Sequence, residues 1–226
     1  MSKVKIALTY ALCLEVCQAL APAIAQNCAL SRVPSWSESL KTVLADCDSR
    51  IVSPNGLLVL RIDATGAVQV LEQSGHKLLA QAAQGVEPPA SASWSPNSDA
   101  FFINDGEGSG ETSELRLYFV KDGKITELKG VQRRVASLYR RRIKCAHDAL
   151  DPDVWGLRWT PDGQYVDLLV EATIHQPCGQ SGSFRGMRVR ARDAKVMEVL
   201  SEEATVARWS AWLPQELKIR EDQSTP

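Results

Sequence analysis

The chain has 226 residues, of which 26 are Lys or Arg and 27 are Asp or Glu, so its formal net charge at pH 7 is −1. This balance argues against a protein that binds nucleic acid or a membrane surface through bulk charge, although it allows a local charged patch. The length is sufficient to bury a real core in one domain or in two small ones.

Residues 1–25 predict a secretory signal peptide. Lys3 and Lys5 form a basic start, the run 6–20 is mostly apolar, and alanines stand at the first and third positions before Gln26. This order is typical of a cleaved export signal. The run is shorter than the roughly 20 apolar residues of a transmembrane helix. We therefore expect cleavage before Gln26, no membrane span, and a mature protein that is periplasmic or secreted.

Four cysteines remain after this cleavage: Cys28, Cys47, Cys145 and Cys178. An even number in an exported chain favours two disulfides, for which three pairings exist. We prefer Cys28–Cys47 and Cys145–Cys178, because each of these pairs closes a modest loop. Each bridge would stabilise the fold by roughly 3–4 kcal/mol on the chain-entropy model.

The segment 26–47 is predicted to contain a short helix over 36–45, with Ser35 or Ser37 as its N-cap. Its apolar side would consist of Trp36, Leu40, Val43 and Leu44.

A short motif then occurs three times, at 53–56, 94–98 and 159–163. Each copy has Ser or Thr, then Pro, then Asn or Asp, and a β-rich apolar run follows it. Proline presets a turn, and Asn, Asp or Gly tolerates the positive φ that such a turn requires. The pattern predicts that each copy connects two strands.

Further turn signals at 64–66, 121–124 and 192–195 give each unit about four antiparallel strands. We therefore predict a mainly β domain over 48–214, with four-stranded blade-like units and one or two short helices. Three units fall short of the four to eight blades of a closed ring, so the assembly is expected to be an incomplete propeller or a sandwich. Residues 206–210 could begin a fourth unit, and 215–226 is expected to be a mobile tail.

The copies at 94–98 and 159–163 resemble the WD40-like β-propeller repeat of the TolB propeller family, whose core reads Trp-Ser-Pro-Asp-Gly before an apolar strand. The copy at 53–56 lacks the tryptophan. The resemblance covers roughly residues 48–200, and it implies a fold rather than an activity.

An acidic, glycine-rich stretch lies between the second motif and the next predicted strand. Its candidate Ca²⁺ ligands are Asp105, Glu107, Ser109 and Glu111. Arg116 stands at the twelfth position, where an EF-hand loop has a bidentate glutamate, so the stretch departs from that motif. The alternative is a solvated acidic hairpin loop, which would still suit the rim of a binding surface.

A helical insert is predicted over 130–146, because Val131, Val135 and Leu138 have helical spacing. It carries a basic cluster of Arg133, Arg134, Arg140, Arg141, Arg142 and Lys144. Such a cluster could bind lipid headgroups or an acidic partner protein, whereas export argues against nucleic acid. The alternative is a solvated helix face whose arginines pair with Asp148, Asp151 and Asp153.

Two Cys/His pairs offer a second metal site, made by Cys145, His147, His175 and Cys178. Thiolate and imidazole are the ligands that Zn²⁺ prefers. The same approach of the two segments would form the Cys145–Cys178 disulfide, which an oxidising compartment favours.

The sequence has no Gly-x-Ser-x-Gly, His-Glu-x-x-His or P-loop motif. We therefore expect a monomeric, non-catalytic binding module without a cofactor, whose partner is a protein or another envelope component. The alternative is a Ca²⁺- or Zn²⁺-binding protein, or a metal-dependent enzyme, that uses the acidic loop or the Cys/His cluster.

Overall fold

A computed structural model describes residues 41–43, 47–106, 113–142, 151–172, 183–213 and 217. The predicted signal peptide lies outside these residues, as does the tail 215–226 apart from Leu217. The domain limits at 48 and 214 stay predictions.

The first sheet contains β2 (Ser49–Val52), β3 (Leu58–Ile62), β4 (Val68–Glu72) and β5 (Leu78–Gln81) in that spatial order. Every neighbouring pair is antiparallel. The chain thus forms an up-and-down meander, as expected for strands joined by short turns.

The second sheet has the order β1-β6-β7-β8-β9. Its strands are β1 (Lys41–Val43), β6 (Ala90–Trp94), β7 (Ala100–Asp105), β8 (Glu114–Lys121) and β9 (Lys124–Glu127). Strands β6 to β9 repeat the four-stranded meander, and β1 adds a fifth strand at the β6 edge.

The third sheet has the order β10-β11-β12-β13. Its strands are β10 (Asp153–Trp159), β11 (Tyr165–Glu171), β12 (Phe184–Arg190) and β13 (Lys195–Leu200). The prediction of four-stranded antiparallel units is therefore confirmed for all three copies of the motif.

The predicted helix over 36–45 is wrong where the chain is described. Residues 41–43 form β1, in which Thr42 pairs with Ser91 of β6. An isolated helix of this length is marginal in water, whereas the β6 edge offers unpaired backbone groups to a β-branched pair such as Thr42-Val43. Tertiary pairing therefore overrides the local pattern.

The three motif turns share one set of hydrogen bonds. In each turn a Ser or Thr hydroxyl accepts the backbone N–H five residues later. The three pairs are Leu58 to Ser53 (3.0 Å), Ala100 to Ser95 (3.1 Å) and Tyr165 to Thr160 (3.1 Å). Each turn also has one residue at positive φ, which is Gly56 at 73°, Ser98 at 62° and Gly163 at 68°. The repeat in the sequence is therefore a repeat in structure.

The motif tryptophans connect each sheet to the one before it. The indole of Trp94 donates to the carbonyl oxygen of Ile51 in β2 at 2.9 Å. The indole of Trp159 donates to the carbonyl oxygen of Ser93 in β6 at 3.2 Å. In the first copy the equivalent residue is Val52, whose side chain is 51% exposed. The bridge therefore runs from the second sheet to the first and from the third sheet to the second.

Strand β7 lies at the centre because its two faces serve two interfaces. Side chains alternate across a strand, so Phe101 and Ile103 pack with the first sheet while Phe102 packs with the third. Phe102 stacks on Trp159 with ring centroids 5.9 Å apart. Gly156 is required opposite, because a Cβ there would lie 2.6 Å from the Phe102 ring.

Helix α1 (Val131–Arg142) follows the second sheet, and helix α2 (Glu202–Trp209) with the 3₁₀ helix Ser210–Trp212 follows the third. The Ser201 side chain caps α2 by accepting the N–H of Ala204. Trp209 is fully buried with Leu169 of β11 in a third core cluster. Residues 206–210 therefore do not begin a fourth unit, because their tryptophan packs within a capped helix.

The three sheets form an incomplete propeller-like assembly. Among the described residues, one core cluster joins the first sheet to the second and another joins the second to the third, but none joins the third to the first, so these three sheets do not form a closed ring. The mainly β fold class and the blade-like units are confirmed. None of the helices in the described part of the chain is long and apolar enough to span a bilayer.

Replacement of Trp94 with Phe should remove the indole donor and leave the Ile51 carbonyl without this partner. We expect the free energy of unfolding to fall by about 1–3 kcal/mol in a denaturant titration. Leu57→Ala is the control, because Leu57 is 65% exposed and its truncation should cost no more than about 0.5 kcal/mol. Equal midpoints for the two variants would show that the indole bridge does not hold the sheets.

A candidate cationic binding groove

Helix α1 (Val131–Arg142) follows Gly130 and lies within the helical insert predicted over 130–146, of which residues 143–146 are outside the described part of the chain. Val131, Val135 and Tyr139 recur at four-residue spacing and are buried against the second and third sheets. The Tyr139 hydroxyl donates to the carbonyl oxygen of Ser183 at 2.8 Å. Arginines in the last turn suit the partial negative charge at a helix C-terminus. The core therefore fixes which face of α1 remains open.

The open face of α1 borders a cavity of about 770 Å³, whose other wall is the turn between β12 and β13. Arg133, Arg134 and Arg141 contribute from the helix, and Lys195 contributes from the turn. Leu138 and Val196 are half-buried between these cations and pack against the core. We call this surface, defined by these six residues, the cationic groove.

The turn beside the groove is held by Asp193. Its carboxylate receives two hydrogen bonds from Arg190, at 3.0 and 2.6 Å, and one from the backbone N–H of Lys195 at 3.2 Å. These contacts lower the pKa of Asp193 to about 2, and the hydrogen bonds from Arg190 contribute most to this change. Arg134 reaches the carbonyl oxygen of Asp193 at 2.6 Å, and not its carboxylate. Asp193 is thus already neutralised by Arg190.

The four cations of the groove form no ion pair with a carboxylate of the described residues. Arg140 differs, because it pairs with Asp151. The five arginines of the predicted interaction patch therefore fall into three groups. Arg140 matches the paired helix face, Arg142 is exposed outside the groove, and Arg133, Arg134 and Arg141 line the groove.

The remaining residues of the predicted basic region and its predicted acidic partners do not line the groove where they are described. Lys144 and Asp148 lie outside the described residues. Asp153 accepts the backbone N–H of Ser113 at 3.0 Å. Lys195 and Val196 were not predicted as site residues, because residues 192–195 were interpreted only as a hairpin turn. Two basic residues within that turn were the available signal.

The first residue of the predicted calcium loop has a structural partner. Asp105 is 1% exposed, and its carboxylate pairs with Arg116 at 2.8 Å and accepts the N–H of Glu87 at 3.0 Å. Burial alone would lower the pKa of Arg116, but Asp105 and Glu114 raise it overall. Arg116, which stands at the twelfth position of the predicted loop, thus pairs with the Asp105 carboxylate that a metal ion would need as a ligand.

The other predicted metal ligands are untested. Glu107, Ser109 and Glu111 lie outside the described residues, as do Cys145, His147, His175 and Cys178. Within the described ranges, no three His, Cys, Asp or Glu side chains form a group able to hold a metal ion. Both metal sites therefore stay predictions.

The cysteine pairings also stay predictions. Cys47 is half-buried just before β2, and its sulfur is disulfide-bonded. Cys28, Cys145 and Cys178 lie outside the described residues, so neither Cys28–Cys47 nor Cys145–Cys178 is tested.

A second cluster of charged side chains lies on the third sheet, and its members pair with one another. Asp167 is fully buried, and it accepts hydrogen bonds from Arg158 at 3.0 Å and from Arg188 at 2.7 and 3.0 Å. The Arg158 guanidinium also lies 3.7 Å above the ring of Trp212. These charges stabilise one another, which distinguishes this cluster from the groove.

Comparison with known proteins gives a likeness in structure and none in sequence family. No family model and no curated protein matches this sequence. The fold is similar to the β-propeller domain of Myceliophteria thermophila Cps50 (Swd1), with 14% sequence identity and a TM-score of 0.41. The match covers 71% of this chain and 42% of that chain, so this chain spans less than half the length of the matched one. The fold assignment rests on the sheet topology described above.

Replacement of Asp105 with Asn should leave the buried Arg116 without its main counter-charge. We expect the free energy of unfolding to fall by about 2–3 kcal/mol. Added CaCl₂ should not change the denaturation midpoint of the wild type. The exposed variant Asp122→Asn serves as the control. A Ca²⁺-dependent rise in the midpoint that disappears in Asp105→Asn would show that Asp105 is a metal ligand instead.

Burial raises the pKa of Tyr118 from 10.0 to about 12. Between these values the unfolded chain loses a proton that the folded protein keeps, so the free energy of unfolding should fall as pH rises from about 10 to about 12. The Tyr118 hydroxyl makes no hydrogen bond of normal geometry among the described residues, although the nearby Arg116 partly offsets the rise in its pKa. Tyr118→Phe should therefore cost little at neutral pH and reduce the alkaline loss in urea titrations. Tyr165→Phe, which retains Tyr118, should leave that loss in place; an equal reduction in both variants would contradict the assignment.

Proposed function

We propose that this protein is an exported, non-catalytic interaction module that binds a partner protein through the cationic groove. The observation that carries this proposal is a concavity of about 770 Å³ whose four cations have no carboxylate partner among the described residues. Its volume falls within the range of typical ligand-binding sites. Covering its half-buried apolar floor with a ligand would release free energy, because apolar surface would be removed from water.

The chemistry of the groove supports binding rather than catalysis. Among the described residues that line the cavity beside it, Ser137 has the one hydroxyl and Asp193 has the one carboxylate. A general base works best with a pKa near the operating pH, but the contacts with Arg190 hold the pKa of Asp193 at about 2. Arginines at the rim of a protein surface instead suit the capture of an acidic partner.

The proposed location rests on the sequence alone. The signal-like pattern of 1–25 would bring the module to an extracytoplasmic compartment. The partner would then be a protein of the same envelope. The balanced overall charge supports recognition through one local surface rather than through a general electrostatic attraction.

The test compares two variants with the same change in charge. Arg133→Glu with Arg141→Glu reverses two groove cations, and Arg142→Glu with Arg192→Glu reverses two exposed cations outside the groove. Each protein is immobilised and exposed to the envelope fraction of the cells that make it. We expect a protein that the wild type and the control retain but the groove variant loses.

Identical retention by all three proteins would contradict the proposal, because binding would then not depend on the groove. Circular dichroism checks that both variants fold. N-terminal sequencing of the protein recovered from that fraction tests export, and we expect it to begin at Gln26.

A further inference from the structure

The spacing of the groove cations defines what the groove can hold. Arg133 and Arg141 are eight residues apart on α1, which places them about 12 Å apart along the helix axis at 1.5 Å per residue. Leu138 lies between them on the same face and forms part of the groove floor. A single small anion cannot contact both ends, so the groove fits an extended ligand with a charge near each end.

An extended peptide matches this spacing. Its residues rise by about 3.3 Å each, so carboxylates four residues apart span about 13 Å. Alternate side chains of an extended strand point to the same side. The first, third and fifth residues of such a peptide would therefore all face the groove, with the third above Leu138 and Val196.

We infer that the groove binds a partner-protein segment of the form acidic-x-apolar-x-acidic in an extended conformation. This inference rests on the proposed function and names the partner chemistry of the same groove. The two carboxylates pair with Arg133 and Arg141, and Lys195 on the opposite wall adds a third cation. The apolar side chain covers the half-buried floor.

The turn opposite α1 supports this assignment. Asp193 would repel an acidic peptide if its charge were free, but Arg190 pairs with it through two hydrogen bonds. Arg134 is tied to the backbone of the same turn. The turn therefore presents Lys195 and the half-buried Val196 to the ligand, while Arg190 pairs with its acidic side chain. A flat lipid surface suits a concave groove less well, because it cannot reach the floor.

The test uses a fluorescently labelled peptide, Ser-Glu-Ser-Leu-Ser-Glu-Ser, titrated with the full protein and followed by anisotropy. Two further peptides replace either both Glu with Gln or the Leu with Ser. We expect saturable binding of the first peptide, weaker binding of both others, and a loss of affinity as NaCl is raised. Reversal of Arg133 and Arg141 should weaken binding by about tenfold or more, whereas reversal of Arg142 and Arg192 should change it by less than about twofold.

Competition separates the peptide from other anions. Inorganic phosphate and vesicles of phosphatidylcholine and phosphatidylserine are added as competitors and as direct ligands. Failure of the peptide to bind, or equal binding by the groove variant and the control, would overturn the inference. So would groove-dependent binding of vesicles or phosphate without binding of the peptide. If the groove variant still loses its partner from the envelope fraction while the peptide fails, the proposed function stands and this inference alone is wrong.

Discussion

The hydrogen bond between a motif indole and the preceding sheet is the constraint on which the stack of sheets depends. Trp94 and Trp159 each end the first meander strand of a unit, and each donates to a backbone carbonyl one sheet back. An unpaired buried donor is costly, so each tryptophan fixes the distance and the orientation of two sheets at once. The turns reinforce this order, because Asn97 of the second copy donates to the carbonyl oxygen of Asp162 in the third.

The same constraint determines how the interfaces are packed. With the second and third sheets held by Trp159, the side chains of β7 must serve both neighbours, and Phe102 reaches the third sheet only because Gly156 leaves room for its ring. Asn104 then completes the interface, since its side chain exchanges two hydrogen bonds with the Gly156 backbone, at 3.0 and 2.6 Å. A buried polar group satisfied in this way favours one register over a slipped one.

The repeated parts of this structure could be predicted from sequence more fully than the parts that occur once. The three motif turns have local chemistry that is sufficient to specify them, so their strands and the meander order were predictable. Strand β1 was missed because its conformation depends on a distant partner, the edge of β6. Residues 206–210 were considered as the start of a fourth unit because Trp209-Ser210 resembles the motif, although Ala211 stands where the motif has proline. Only one wall of the groove could be predicted, because a basic helix can be recognised in sequence. The sequence does not show that the turn between β12 and β13 lies opposite this helix.

The location of the groove follows from where the other charges and apolar groups are already used. Asp105 with Arg116, and Asp167 with Arg158 and Arg188, are closed networks because buried charges must be paired. The apolar side of α1 is committed to the core through Val135 and Tyr139. The side of α1 that does not face the core carries arginines, and it lies beside a turn in which Asp193 is ion-paired with Arg190. The packing of the sheets thus orients α1 and leaves Arg133 and Arg141 without a carboxylate partner among the described residues, which is the arrangement that the proposed acidic partner would complement.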